Sequence, residues 1–309
     1  MRVLVTGGAG FIGSHVVDRL LADGYTVEVV DNLATGRRER VPAAAQLHVC
    51  DLRDERLGAV VVAARPAVVV HLAAQAAVPR SVTDPRFDAS VNVLGTINLL
   101  EACRHAGVRR AVYISTGGAA YGDTKVMPTP EDHPLRPASP YGVSKITGER
   151  YLDCWAGLTG GRALTLRLAN IYGPRQDPAG EAGVIAIFAS RLLAGAPCVV
   201  NGDGEQTRDY VYVGDVADAV ARAVASSEAA GVANIGTGVE TTVNELYGRL
   251  ARLAGVNRAA DHGPAKPGEQ RRSVLDAAHA KSLLGWRAST SLDEGLGKTI
   301  AWFRKELSP

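Results

Sequence analysis

Two hydrophobic patterns alternate along the first 169 residues of the chain. Short, β-branched apolar runs are separated by longer stretches in which apolar positions recur at helical spacing. Runs that are apolar on both faces are typical of parallel strands covered by helices. The alternation predicts an α/β fold with a doubly wound parallel sheet of the Rossmann type. The predicted strands are residues 2–6, 26–30, 47–50, 67–72, 110–116 and 163–168, and the predicted helices are residues 12–22, 54–64, 87–106 and 141–158.

The pattern loosens near residue 170. Proline and glycine become frequent in 172–180 and 263–268. Helical spacing still recurs, which predicts a smaller, irregular α/β domain over 170–309 beside a first domain over 1–169. We expect segments near 209–237 to pack back on the first domain. The predicted helices of this half are residues 184–193, 213–225, 243–254 and 292–306.

Composition and charge exclude several classes of protein. Of the 309 residues, 46% are hydrophobic and 21% are charged, as is ordinary for a globular protein, and the net charge is +2. That charge is too small to indicate nucleic acid or an anionic membrane as the main partner. The start has no signal-peptide layout, and the apolar stretch near 60–78 is broken by Arg65, Pro66 and His71. We therefore expect a cytoplasmic protein without a membrane partner.

The four cysteines are scattered along the chain and show no Cys-x-x-Cys spacing. This pattern favours neither a disulfide framework nor a metal site, and we expect buried, reduced thiols. They are Cys50, Cys103, Cys154 and Cys198.

A glycine-rich loop, Thr6-Gly-Gly-Ala-Gly-Phe-Ile-Gly13, joins the first predicted strand to the first predicted helix. Gly7, Gly10 and Gly13 stand three apart, and glycine lets backbone N–H groups approach a pyrophosphate at the start of a helix. A simple turn is the alternative interpretation. The order of strand, loop, helix, second strand and acid favours a dinucleotide site.

Acidic residues end the next two strands. Asp31 follows Gly13 by 18 residues, where a carboxylate can accept hydrogen bonds from the adenosine ribose and repel a 2′-phosphate. This favours NAD over NADP, although Arg37 and Arg38 lie nearby and weaken the preference. Asp51, after the third strand, is placed to meet the adenine.

Tyr141 and Lys145 are one helical turn apart, so their side chains share a face. Free tyrosine and lysine titrate near about 10 and about 10.4, and a nearby ammonium and an oxidised nicotinamide would both lower the pKa of Tyr141. Tyr141 can then take a proton from a substrate hydroxyl while hydride leaves the same carbon. Lys145 can hydrogen-bond the nicotinamide ribose. An ordinary surface pair is the alternative.

Hydroxyl groups also end the strand at 110–116. Ser115 and Thr116 fall at the carboxyl edge, where open α/β sheets bind ligands. Thr116 is placed to hydrogen-bond the reacting hydroxyl. Its alternative role is to cap the following turn.

These segments together resemble the extended short-chain dehydrogenase/reductase family, and within it the UDP-glucose 4-epimerases. The similar stretches run along the whole chain. Besides the glycine-rich loop they are Asp31-Asn-Leu-Ala-Thr-Gly36, His71-Leu-Ala-Ala-Gln75, Asn92-Val-Leu-Gly-Thr96, Ser115-Thr-Gly-Gly-Ala-Ala-Tyr-Gly122, Ser139-Pro-Tyr-Gly-Val-Ser-Lys145, Asn170-Ile-Tyr-Gly-Pro-Arg175, Gly202-Asp-Gly-Glu-Gln-Thr-Arg-Asp-Tyr-Val211 and Asn234-Ile-Gly-Thr-Gly238.

The resemblance implies NAD as cofactor and a UDP-sugar as substrate. Hydride is removed from C4, the 4-keto sugar rotates, and hydride returns to the opposite face, which interconverts UDP-glucose and UDP-galactose. It also implies a homodimer formed through helices near 87–106 and 141–158. The implied catalytic residues are Tyr141, Lys145 and Thr116. The implied cofactor-binding residues are Gly7, Gly10, Phe11, Ile12, Gly13, Asp31, Asn32, Asp51, Leu52, Leu72, Ala73, Ala74, Gln75, Asn92, Ser115, Tyr141 and Lys145, and the implied substrate-binding residues are Thr116, Tyr141, Asn170, Arg208 and Arg271.

The chain departs from the family pattern near Thr116. Counting back from Tyr121 places Gly117 at the usual catalytic serine, whereas counting from Tyr141 places Thr116 there. Because glycine has no side chain to act, we assign the role to Thr116. Dehydratases of the family carry an Asp-Glu pair where this chain has Gly118 and Ala119, which argues against dehydration.

Ser273, after the Pro267-Gly268 turn, stands where glucose-only epimerases of the family carry a tyrosine. A small residue there leaves room beside the sugar C2 substituent, so UDP-N-acetylhexosamines are candidate substrates. The alternative functions are a UDP-glucuronate 4-epimerase or decarboxylase of the same family and, from another class, a non-catalytic NAD-binding sensor. A sensor is expected to have lost Tyr141 or Lys145.

Overall fold

The fold, a computed structural model, is described over residues 1–179, 183–265 and 270–307. Strands and helices alternate through the first half and become shorter and more irregular in the second. The strands are β1 Arg2–Thr6, β2 Thr26–Asp31, β3 Gln46–Val49, β4 Val68–His71, β5 Arg110–Thr116, β6 Arg162–Leu168, β7 Asn170–Tyr172, β8 Val199–Asn201, β9 Thr207–Arg208, β10 Tyr210–Tyr212, β11 Gly231–Ile235, β12 Thr241–Thr242, β13 Asp261–Gly263 and β14 Arg272–Ser273. The helices are α1 Phe11–Ala22, α2 Leu57–Ala64, α3 Val78–Thr83, α4 Pro85–Ala89, α5 Gly95–His105, α6 Gly118–Tyr121, α7 Pro140–Thr159, α8 Val184–Leu193, α9 Val213–Ala225, α10 Val243–Ala254, α11 Ala278–Leu284 and α12 Leu292–Glu306.

Seven parallel strands form the main sheet, in the order β11-β6-β5-β4-β1-β2-β3. Strand β1 lies inside the sheet, and its residues Val3, Leu4 and Val5 are fully buried because helices cover both faces. The six predicted strands and the doubly wound fold are confirmed. The carboxyl ends of β1, β4 and β5 meet at one edge, and this edge carries the site described below.

The second half of the chain contributes to this sheet. Strand β11 pairs with β6, from Gly231 beside Leu164 to Ile235 beside Leu168. Helix α9 packs on α1, and the guanidinium of Arg19 binds the Asp218 carboxylate at 2.7 Å. Strand β11, the seventh strand of the main sheet, was not predicted.

The stretch predicted as a single helix over 87–106 is divided. Helix α4 ends at Ala89, a π-helical turn follows over Ser90–Leu94, and α5 begins at Gly95. The wide turn directs the buried Asn92 side chain toward Gln75, which lies 17 residues earlier. Helix α3 was not predicted, and α2 begins at Leu57 rather than at 54 because Asp54 accepts a hydrogen bond from the Arg56 amide.

A separate core holds the rest of the second half together. Helices α8, α10 and α12 pack around Phe188, Leu246 and Phe303. The bounds of these helices and of α9 match the prediction, whereas α11 was not predicted. The three-stranded sheet β12-β9-β14 lies in this half and carries Arg208 and Ser273.

The cysteines differ from the expectation at one position. Cys50, Cys103 and Cys198 are buried free thiols, but Cys154 is exposed. Cys154 lies on α7, on the solvent side of the helix, so the prediction of burial was wrong there. Over the described residues, helices are too short or too polar to cross a lipid bilayer.

Candidate active site

The glycine-rich loop is a tight turn between β1 and α1. Gly7 has φ +72°, and a Cβ built on it would lie 2.7 Å from the Ala73 nitrogen, while a Cβ on Gly13 would collide with the Gly7 carbonyl oxygen. Helix α1 starts after Gly10 without a side-chain cap, so its first N–H groups remain available to an anion. The close approach and the uncapped start fit the pyrophosphate of a dinucleotide.

Asp31 lies beside this loop at the end of β2. Its Oδ2 accepts from the Ala9 amide at 3.0 Å, and its Oδ1 accepts from the Leu33 amide at 2.8 Å. Burial raises the pKa of Asp31, and the two backbone donors oppose that shift. Each oxygen keeps a second lone pair, which could accept a ribose hydroxyl.

Asn32 and Asp51 meet next to Asp31. The Asn32 amide donates to Asp51 Oδ2 at 2.8 Å, and Arg53 donates to both Asp51 oxygens at 2.8 Å. The hydrogen bonds from Arg53 hold the pKa of Asp51 well below its usual range. Leu52 is buried under this group. The sequence reasoning missed Arg53, whose position two residues after Asp51 was the only available signal.

Tyr141 and Lys145 occupy the first turns of α7. Ser139 caps this helix by accepting from the Gly142 amide at 3.2 Å, and Pro140 occupies its first position. Lys145 is 3% exposed, and its ammonium lies 4.2 Å from the centre of the Tyr113 ring. Burial lowers the pKa of Lys145 to about 7, against the opposing effects of Glu149 and Asp88.

The pKa of Tyr141 moves opposite to the expected direction. Burial of its hydroxyl, followed by the Asp88 charge, raises the pKa of Tyr141 to about 12, although part of the side chain reaches the surface. The sequence predicted that the Lys145 ammonium and an oxidised nicotinamide together lower this pKa; for the chain's own groups the pKa rises instead, because burial is the largest cause. Burial and the Asp88 charge thus favour the protonated form of Tyr141.

His71 lies at the end of β4 in a directional hydrogen-bond chain that was not foreseen. Its Nδ1 lies 2.7 Å from Thr6 Oγ1, and its Nε2 lies 3.0 Å from Thr96 Oγ1. The Thr96 hydroxyl donates to the Asn92 carbonyl at 2.6 Å, so this hydroxyl accepts from the Nε2–H of His71. The unprotonated Nδ1 of His71 then accepts from the Thr6 hydroxyl. Burial, followed by the Lys145 charge, lowers the pKa of His71 to about 3, which keeps the ring neutral.

The loop after β4 is tied to Asn92. The backbone N–H of Gln75 donates to Asn92 Oδ1 at 2.8 Å, and Asn92 Nδ2 donates to the backbone carbonyl of Gln75 at 2.9 Å. The same Asn92 amide donates to Ser144 Oγ at 3.1 Å. The predicted cofactor-lining segment, Leu72 to Gln75, is thereby held between Gly7 and helix α7. Leu72, Ala73 and Ala74 are partly buried in this arrangement.

At the end of β5, Ser115 and Thr116 point to different partners. The Ser115 hydroxyl donates to Glu149 at 2.5 Å, whereas Thr116 Oγ1 accepts from the Ala119 amide at 3.4 Å. Thr116 thus makes the capping contact that was its alternative role, and it retains its own proton to donate. A Cβ on Gly117 would lie 2.5 Å from Leu275, which explains why a glycine, rather than a serine, occupies this position.

Glu149 and Arg167 form a buried ion pair below these residues. Arg167 donates to Glu149 through Nη2 at 2.7 Å and Nε at 3.1 Å, and the exposed fractions of the two side chains are 4% and 1%. Arg167 also donates to the Tyr121 hydroxyl at 2.9 Å, which in turn donates to Asn234 at 2.8 Å. This network, which the sequence reasoning missed, fixes β5, β6, α7 and β11 together.

The candidate substrate residues come from the second half of the chain. Arg208 on β9 pairs in register with Ser273 on β14, and the Ser273 Oγ would lie 3.3 Å from a Cβ on Gly118. The β9–β14 sheet therefore reaches the turn after β5. Asn170 is exposed just beyond the end of β6. Arg271 is exposed and binds the Asp203 carboxylate at 2.7 and 2.9 Å, and the Pro267-Gly268 turn before it lies outside the described residues.

Comparison with known proteins identifies the family of this chain. The model of the NAD dependent epimerase/dehydratase family matches residues 3–236. The chain belongs to this family. It is 47% identical to the UDP-glucose 4-epimerase of Mycolicibacterium smegmatis over 311 residues, covering 99% of each chain. The family expectation from the sequence is confirmed.

Solved structures of epimerases share the whole fold. The UDP-glucose 4-epimerase of Thermotoga maritima with UDP-glucose superposes with a TM-score of 0.96 at 47% identity and covers 100% of both chains. The Thermus thermophilus UDP-glucose 4-epimerase in complex with NAD gives 0.94 at 48% identity and covers 98% of this chain and 99% of its own. This member of the epimerase/dehydratase family therefore matches such enzymes over its full described length.

Proposed function

We propose that this chain is an NAD-dependent UDP-glucose 4-epimerase, an isomerase of galactose metabolism that interconverts UDP-glucose and UDP-galactose without net redox. The observation that carries the proposal is the full-length similarity to UDP-glucose 4-epimerases at 47% identity, together with Tyr141 and the buried Lys145 on one face of α7. A non-catalytic sensor would not need to retain this pair.

The residues at the carboxyl edge of the sheet fit NAD. The Gly7–Gly13 turn and the uncapped start of α1 suit the pyrophosphate, and the Asp31 carboxylate suits a ribose with a free 2′-hydroxyl. When bound, the nicotinamide supplies reversible hydride transfer at C4 of the sugar. We assign residues 1–169 to this cofactor and 170–309 to the sugar nucleotide.

The chain's own residues handle the proton and the substrate's position. Tyr141 takes the proton of the 4-hydroxyl and returns it, Lys145 supplies a buried cation, and Thr116 donates to the same oxygen. Arg208 and Arg271 suit the diphosphate, with Asn170 beside it. Arg271 must exchange its Asp203 partner for the diphosphate, and both groups lie at the surface.

The direct test incubates the purified protein with UDP-galactose, without added NAD, and measures UDP-glucose. We expect Tyr141→Phe to reduce turnover by about 100-fold or more while NAD content stays unchanged. Tyr151→Phe, on the exposed side of the same helix, is the matched control. Turnover retained in Tyr141→Phe would contradict the role of Tyr141. If UDP-galactose is not converted but UDP-glucuronate is, the function is that of a UDP-glucuronate 4-epimerase or decarboxylase.

We propose that UDP-N-acetylhexosamines are also substrates. Ser273 is small and buried, and its hydroxyl faces Gly118 at the turn after β5. We expect Ser273→Tyr to lower the rate on UDP-N-acetylglucosamine at least about tenfold relative to UDP-glucose, because a phenol ring would occupy the space beside C2. Ser282→Tyr, at an exposed position, is the control. An unchanged ratio of the two rates would contradict the proposal.

We further propose a homodimer through the region of α5 and α7. Three exposed apolar residues, Val143, Tyr151 and Leu158, follow one another on α7 at spacings of eight and seven, and Leu158 is 80% exposed. Apolar exposure of this kind is typical of an interface. Light scattering should give a dimer that Leu158→Glu weakens, whereas Leu307→Glu should not. A wild-type monomer at micromolar concentration would contradict the proposal.

A further inference from the structure

Asp88 lies in α4 and is 1% exposed. Its Oδ1 accepts from the Gln75 side-chain amide at 2.8 Å and from the Asn92 side-chain amide at 3.1 Å. Its Oδ2 is buried and has no hydrogen-bond partner within the described part of the chain. A buried, unbonded carboxylate oxygen destabilises a fold, so packing alone does not account for an acid at this position.

An asparagine would make both of the hydrogen bonds that Asp88 makes. Its amide oxygen could accept from Gln75 and Asn92 as Asp88 Oδ1 does, without a buried charge. What the aspartate adds is therefore its negative charge. Over the described residues no lysine, arginine or histidine forms an ion pair with it.

The charge acts on the proton-carrying pair. Helix α4 packs on α7, and Asn92 donates both to Asp88 of α4 and to Ser144 of α7. After burial, the Asp88 carboxylate is the next cause that raises the pKa of Tyr141, and it opposes the lowering of the Lys145 pKa by burial. It also raises the pKa of Tyr113, whose ring contacts the Lys145 ammonium.

Other titratable groups face the pair from each neighbouring element. His71 of β4 is neutral, and Tyr113 of β5 is a phenol. Glu149 of α7 is paired with Arg167 of β6 at 2.7 Å; its charge opposes the effect of burial on the pKa of Lys145, whereas Asp88 is the carboxylate that raises the pKa of Tyr141. Among the described groups around the pair, Asp88 alone is a carboxylate without a cationic partner.

We propose that Asp88 is a positioning residue whose charge, which lies outside any ion pair of the described residues, adds to burial in keeping the proton on Tyr141, so that Tyr141 gives up its proton when a further positive charge, such as that of an oxidised nicotinamide, lies opposite it. Tyr141 would then lose its proton to solvent, and become the phenolate that takes the proton of the 4-hydroxyl, only when a group that can take the hydride is bound. The inference rests on the proposed function, since it concerns the same proton carrier.

The test variant is Asp88→Asn, which keeps both amide hydrogen bonds and removes the charge. Phenolate absorbance is titrated in the NAD-loaded protein, and subtracting the same titration of a Tyr141→Phe derivative isolates Tyr141 from the nine tyrosines. We expect phenolate to form at a lower pH than in the wild type, by less than about one pH unit because burial is the larger cause of the raised pKa, and the acid limb of kcat to move in the same direction. Asp84→Asn is the control, because Asp84 caps the same helix by accepting from the Phe87 amide while exposed to solvent.

Several outcomes would overturn the proposal. One is an unchanged Tyr141 titration in Asp88→Asn, and another is an equal loss of kcat at every pH, which would indicate a structural role. Asp88→Ser, a smaller neutral replacement, must also lower the pH at which Tyr141 forms phenolate. It replaces Asp88→Asn in this test if the asparagine variant does not fold. Failure of the wild type to convert UDP-hexoses would refute the proposed function but would leave the phenolate titration valid.

Discussion

Two buried carboxylates, Glu149 and Asp88, lie near Lys145 and differ in their hydrogen-bond partners. Glu149 is bonded at both oxygens, by Ser115 and by two nitrogens of Arg167. Asp88 is bonded at one oxygen, by neutral amides, and its other oxygen has no partner in the described structure. The charge of Glu149 is held in an ion pair, whereas the charge of Asp88 lies outside any ion pair of the described residues and raises the pKa of Tyr141.

The difference separates two uses of a buried acid. A buried ion pair with complete hydrogen bonding fixes the geometry of the elements that supply its members, here β5, β6 and α7. A buried charge without a counterion contributes little to geometry beyond its hydrogen bonds, but it shifts the proton affinity of every group nearby. Breaking the Glu149–Arg167 pair should therefore lower the free energy of unfolding, whereas removing the charge of Asp88 should change the titration of Tyr141.

The largest expected effect comes from removing the counterion of Glu149. Arg167→Met leaves a buried carboxylate uncompensated, and we expect the free energy of unfolding to fall by about 3–5 kcal/mol in urea denaturation. Arg162→Met, on the same strand, breaks an exposed pair with Glu228 and should cost no more than about 1 kcal/mol. Equal losses in the two variants would remove the distinction between the carboxylates.

His71 extends the comparison to a buried base that stays neutral. Its folded-state pKa of about 3 lies below the ordinary value of 6.5, so between these values the unfolded chain binds a proton that the folded chain does not. Stability from this group is complete above pH 6.5 and falls by about 1.4 kcal/mol for each pH unit below it.

His71→Gln keeps an acceptor and a donor but cannot titrate. Urea denaturation from neutral pH toward about pH 4.5 should therefore show a loss in the wild type that is larger by about 2.7 kcal/mol than in the variant. Parallel pH dependences would show that His71 takes up its proton in the folded state.

The smallest effect should follow loss of a single donor to Glu149. Ser115→Ala removes one hydrogen bond to a charged oxygen that Arg167 still satisfies, and we expect a loss of about 1–2 kcal/mol in the free energy of unfolding. Thr165→Val on β6 is the matched control, because the buried Thr165 hydroxyl has no hydrogen-bond partner among the described residues. We expect that variant to be as stable as the wild type or more stable. A larger loss for Thr165→Val than for Ser115→Ala would contradict the role of Glu149 as a bonded anchor.

The sequence was most informative where structure depends on neighbouring residues. The apolar run of β1 and the bounds of α8 and α10 were predicted to the residue, because burial on a strand or helix face repeats with a fixed period. The break between α4 and α5 was missed. It depends on the side chain of Asn92, which bonds to Gln75 and Ser144, residues 17 and 52 positions away.

The sequence by itself determined the parallel sheet, the glycine turn before α1 and the placement of Tyr141 and Lys145 on one face of α7. These features follow from local periodicity and turn geometry, which a few adjacent residues specify. Only the tertiary structure decided which charges surround the pair. Asp88 lies on α4, which packs on α7, and Arg167 of β6 forms an ion pair with Glu149 of α7. The pKa of Tyr141 rises rather than falls because burial and charge sum over residues that are distant in sequence and adjacent in space.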